Sequence, residues 1–142
     1  MAMSRRVVLA LLAVCDIALH ARENRVSARN LSQRYKLPPR HFETILQDLT
    51  RAGLIRGQSG PKGGYELAKE RRKLPVWAIV DAVRGQADTD RFPANGSAAR
   101  LVGPIIAAAN LHLKTLLDEM AIEDVLARAS IVLDDQSSNF TI

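Results

Sequence analysis

Read by the spacing of its apolar positions, the chain opens with a helix. Val7, Leu11, Val14 and Ala18 recur at helical intervals, and Val8, Leu12, Cys15 and Leu19 form an adjacent stripe. Two neighbouring stripes predict a core helix buried on two faces. Ser27 then suits an N-cap, and Ala28, Leu31 and Tyr35 share one face of a short helix ending near Lys36. Leu37-Pro38-Pro39 breaks that helix, and Pro39 fits the first turn of the next. Phe42, Ile45, Leu46 and Leu49 stand at i, i+3, i+4 and i+7 of this third helix, 39–52, which Ala52-Gly53 closes. A longer helix followed by two short ones at a tight turn is a helix-turn-helix layout.

The period then changes. Leu54-Ile55-Arg56-Gly57-Gln58 and Gly64-Tyr65-Glu66-Leu67-Ala68 alternate as strands do, and Ser59–Gly63 turns one back on the other. The intervening GPKGG also invites comparison with a phosphate-binding loop. That loop needs Gly, then Lys, then a hydroxyl residue, opening straight into a helix. Here Lys62 precedes Gly63 and Gly64, no Ser or Thr follows, and the next helix starts only at Pro75. The segment is a hairpin, and a hairpin directly after a helix-turn-helix is a wing.

A fourth helix is predicted from Pro75 to Arg84 on the stripe Val76, Ile79, Val80 and Val83, followed by a polar loop over 85–97. A long helix comes next, from Ala98 or Pro104 to Glu119, striped by Ile105, Ala109, Leu113, Leu116 and Met120. A last short helix, Ile122–Ala129, precedes a polar tail expected to fray. The fold class is mainly α with a small β-hairpin. It divides into a winged helix-turn-helix domain (1–84), a loop (85–100), dimerisation helices (101–130) and a flexible tail (131–142).

Charge sharpens this division. Residues 1–73 hold 15 Lys and Arg against 6 Asp and Glu, a net of +9, whereas 74–142 hold 5 against 9, a net of −4. A basic half joined to an acidic half points to a polyanion-binding module attached to a second function. With 47% apolar, 25% charged and only 4% aromatic residues, the core must be aliphatic, which favours helices. One cysteine excludes an internal disulfide and fits a reducing, cytoplasmic setting. The start MAMSRRVVLALLAVCDIALHA has features of an export signal, but Val14 is bulky where a lipoprotein box wants a small residue. The apolar run is also too short to span a membrane, so no membrane partner is expected.

The order CDIALHARENRVSARNLSQRYKLPPRHFETILQDLTRAGLI, then GPKGGYELA, then VWAIVDAVRG, resembles the Rrf-two (Rrf2) family of bacterial transcription regulators. The likeness covers residues 5–84 well and continues more weakly to AIEDVL at 121–126. It implies a homodimer on a palindromic promoter site in double-stranded DNA, acting as a repressor or other regulator, with the long helix supplying the dimer contact through Ile105, Ala109, Leu113, Leu116 and Met120. Many members hold an iron–sulfur cluster through three cysteines in the loop before that helix. The corresponding QADTDRFPANGSAAR at 86–100 has none, so no cofactor or metal is expected.

Within this frame the third helix enters the major groove, with Arg40, His41, Glu43, Thr44 and Gln47 as its polar residues. Arg40 suits guanine, Glu43 cytosine, and Gln47 adenine or a phosphate. Glu43 matches a glutamate that the family often carries, where it would select between sites. Ser27 and its neighbourhood place backbone N–H groups near a phosphate, with Arg29 and Arg34 as further phosphate contacts. In the wing, Arg56, Gln58, Ser59 and Lys62 reach the minor groove, although the family often has Arg where this chain has Ser59. Tyr65 is expected to pack on the third helix. Cys15 lies in an apolar stripe and is expected to pack rather than react. His20, His41 and His112 are dispersed, and no catalytic constellation is apparent, which argues against an enzyme. The rival readings are a regulator responding to a small-molecule or protein effector near Trp77 and the 86–100 loop, and a winged-helix adaptor that binds protein instead of DNA.

Overall fold

The computed structural model describes residues 4–20, 23–84 and 96–139. Among these residues, six α-helices and one hairpin follow in the order α1 (Arg5–His20), α2 (Ala28–Tyr35), α3 (Arg40–Arg51), β1 (Ile55–Gln58), β2 (Gly64–Leu67), α4 (Val76–Val83), α5 (Ser97–Asp118) and α6 (Ile122–Asn139). A single 3₁₀ turn, Arg71–Lys73, links the hairpin to α4.

One aliphatic core joins these elements. Ala10, Ala13, Val14 and Ile17 of α1 are fully buried with Leu31 of α2, Phe42, Ile45, Leu46 and Leu49 of α3, and Ile79, Val80 and Val83 of α4. The first expected stripe of α1 is buried at Val7, Val14 and Ala18, but the buried face turns away from the second. Val8 and Leu19 are exposed, while the small Ala10 and Ala13 let neighbouring helices approach and complete the seam. Among the described residues no helix is long and apolar enough to cross a membrane.

The helix-turn-helix closes by two local devices. Ser27 Oγ accepts from Asn30 N (3.0 Å) and Asn30 Oδ1 accepts from Ser27 N (2.9 Å), a reciprocal cap that starts α2. Lys36 ends the helix in the left-handed region at φ 54°, and its N–H donates to Ser32 O. The hairpin pairs Ile55 with Leu67 and Arg56 with Glu66, as the alternation predicts. Val26 adds a third strand-like contact, accepting from Tyr65 N at 2.7 Å and donating to Tyr65 O at 3.1 Å. Gly64 permits this approach: its φ is 142°, and a Cβ there would lie 2.9 Å from the Val26 carbonyl carbon. Gly64→Ala is expected to cost about 1–3 kcal/mol through backbone strain. Urea unfolding measures this, and a loss near zero would mean that the wing is not held by Val26.

In the acidic half, α5 begins at Ser97, one residue before the earlier of the two expected starts, and runs through Pro104. The difference from the sequence reading lies in the last helix. Helix α6 continues past Ala129 to Asn139, through residues expected as a polar tail. No glycine or proline occurs after Pro104, so nothing in the sequence stops it. The start of α6 belongs to the main core. Ile122 is fully buried, Ile122 N donates to Leu74 O (2.9 Å), and Val76 N donates to Met120 O (2.8 Å). The loop expected over 85–97 lies, for 85–95, outside the described residues.

Candidate nucleic-acid interface

Helix α3 presents a clean division. With Phe42, Ile45, Leu46 and Leu49 buried, Arg40, Glu43, Thr44 and Gln47 are left exposed on the outer face, and His41 is half-buried at its edge. Arg40, Glu43 and Gln47 follow one another at helical spacing along a single ridge. Arg51 continues that ridge one turn further; the sequence reading omitted it, although the i+4 step from Gln47 signals it.

The wing and the start of α2 bound an open cleft of about 380 Å³, lined by Ser27, Gly57, Gln58, Ser59, Gly60, Gly63, Gly64 and Tyr65. This brings together Ser27, Gln58 and Ser59. Ser27 spends its side-chain oxygen on the cap, while Arg29 and Lys62 are exposed. The Tyr65 ring covers Gly57 across the hairpin, where a Cβ on Gly57 would meet the ring Cε1 at 3.0 Å, and is half-buried against the core.

Arg56 stands apart from that cleft. It pairs with Glu66 at 3.6 Å and lines a second groove of about 530 Å³ with Ile17, Ala18, Arg71 and Glu123. Trp77 lines neither groove; Arg84 lies over its ring at 4.9 Å. The part of the 86–100 loop up to residue 95 is outside the described residues.

Arg34 is a correction, because its guanidinium faces inward. Arg34 Nε and Nη2 donate to the Asp16 carboxylate at 2.9 and 2.7 Å, and Tyr35 Oη donates to it at 2.6 Å. The Asp16 side chain is wholly buried, and His20 Nδ1 lies 3.4 Å from its Oδ1. The sequence signal was available: an acid inside an apolar helical run must find partners. Burial, the hydrogen bond to Asp16 and its negative charge push the Tyr35 hydroxyl well above the usual tyrosine range. Burial, with the Asp16 charge, likewise raises the Cys15 thiol, which packs half-buried against the core.

On α5 the expected dimer stripe divides in two. Ile105, Ala109 and Leu116 are exposed, whereas Leu113 is half-buried and Met120 packs on its own core. Leu101 extends the exposed part, with 77% of its surface accessible against 68% for Ile105 and 56% for Leu116.

A family model named Rrf2, described as an iron-dependent transcriptional regulator, matches residues 3–128. The HTH-type transcriptional regulator IscR of Serratia proteamaculans is 33% identical over 82 residues, which are 58% of this chain and 50% of that protein. IscR of Vibrio campbellii is 29% identical over 87 residues, 61% of this chain and 52% of that protein. The chain thus spans about half the length of the curated relatives it matches. Among solved structures, T. potens IscR superposes with a TM-score of 0.68 at 26% identity, covering 89% of this chain and 87% of the other. CymR (YrzC), the global cysteine regulator of B. subtilis, gives 0.68 at 22% identity, covering 89% and 96%, a likeness of fold.

A cluster anchored on three cysteine thiolates needs more cysteines than this sequence has. Cys15 is the chain's one cysteine, and among the described residues no three His, Cys, Asp or Glu side chains converge as a metal ion requires.

Proposed function

We propose a DNA-reading role on one premise: the chain belongs to the Rrf2 family of transcriptional regulators. In this reading it is a cytoplasmic, sequence-specific repressor that binds a palindromic promoter site as a homodimer, without an iron–sulfur cluster. The observation that carries it is the outer face of α3, where Arg40, Glu43, Thr44 and Gln47 are exposed beside a wing in the basic half of the chain. Base edges are read by Arg40, Glu43 and Gln47, while Arg29, Lys62 and the Ser27–Gln58–Ser59 cleft lie against the sugar–phosphate backbone. Two copies joined through the exposed stripe of α5 set the two reading helices about one DNA turn, roughly 34 Å, apart.

The test is titration of the purified chain onto its own upstream duplex and onto a scrambled duplex, across a salt series. Preference for the upstream duplex, with affinity falling steeply as salt rises, supports the reading. Equal, weak binding to both would replace it with a protein-binding adaptor.

A further inference from the structure

Arg6, at the start of α1, joins three elements that the sequence does not connect. Its Nε donates to the Val83 carbonyl at the end of α4 (2.9 Å), its Nη2 to the Asp48 carboxylate of α3, and its Nη1 to Thr44 Oγ1 of α3 (3.3 Å). Asp48 is three-quarters shielded, and Arg51 approaches its other oxygen at 3.4 Å. A planar guanidinium suits this task because it holds several acceptors in fixed directions, which an ammonium does not. The contact to Thr44 also matters chemically. Its oxygen accepts from Arg6, so its own hydrogen is left to be donated to a phosphate oxygen, to guanine O6 or N7, or to thymine O4.

We propose that Arg6 is a positioning residue for sequence reading: it locks α3 to the end of α4 and fixes Thr44 as a donor. This rests on the DNA-reading function above. The wild-type chain is therefore titrated first onto the upstream and scrambled duplexes, and failure to discriminate there removes that function and the role of Arg6 with it. Given discrimination, Arg6→Lys and Asp48→Ala are each expected to lower the upstream-to-scrambled affinity ratio roughly tenfold, the size that couplings in hydrogen-bonded networks reach. The double variant should lose no more than the larger single loss. The salt slope of Arg6→Lys should match wild type, since the charge is kept. A purely structural defect weakens both duplexes by one factor and leaves the ratio unchanged, which would overturn the proposal. So would an Arg6→Met variant that weakens both duplexes equally while the salt slope falls by about one phosphate contact, the signature of direct backbone binding.

Discussion

Asp16→Ala is expected to cost about 3–5 kcal/mol of folding stability, the range for removing one partner of a buried ion pair. The carboxylate is wholly buried and accepts from Arg34 Nε, Arg34 Nη2 and Tyr35 Oη at 2.6–2.9 Å. Alanine leaves those donors facing a void between α1 and α2. Arg34, whose side chain is 38% exposed, can turn towards water, which places the loss at the lower end of the range. Asp16→Asn should fall between, since its amide keeps one acceptor but points hydrogens at the guanidinium. Tyr35→Phe removes a single neutral donor and should cost about 1 kcal/mol. Urea unfolding followed by circular dichroism ranks the three. If Asp16→Ala lost less than Tyr35→Phe, the buried carboxylate would not be what ties α2 to α1.

That network also marks where sequence reasoning stops. The helix-turn-helix was legible because caps, breakers and periods act locally: Ser27, Pro39 and Gly53 each declare a boundary, and alternation declares the wing. The outer face of α3 followed by subtraction once Phe42, Ile45, Leu46 and Leu49 were assigned inward. Arg34 was misplaced because charge alone does not tell a phosphate contact from a buried partner, and its partner lies 18 positions away on another helix. Arg6 escaped notice for the same reason, since Val83 is 77 residues distant. Buried alanines carry little hydrophobic signal, so the second stripe of α1 was misplaced by the choice of its larger residues. Leu113 and Met120 share a period with Ile105 and Leu116, but a helix that packs on its own domain along one side offers a partner only the other.

That remaining side sets the second large effect. Ile105→Glu combined with Leu116→Glu is expected to convert the proposed dimer to monomers. Each buried aliphatic side chain contributes about 1.5–3 kcal/mol, and twofold symmetry counts every substitution twice. Even the low end, roughly 6 kcal/mol in all, raises the dissociation constant by about four powers of ten. The residues are exposed and touch no core, so the monomer should keep its thermal midpoint apart from the stabilisation that dimerisation itself supplies. Sedimentation velocity gives the mass, and titration onto a palindrome and onto its half-site gives the consequence. A dimer gains over its half-site only by linking two reading helices. The double variant should therefore bind palindrome and half-site alike, while wild type strongly prefers the palindrome. Leu113→Glu is the informative contrast, because that half-buried position should cost folding stability before it costs association. A double variant that still sediments as a dimer would move the interface off this stripe, and a variant that is monomeric yet keeps the palindrome preference would detach DNA reading from dimer geometry.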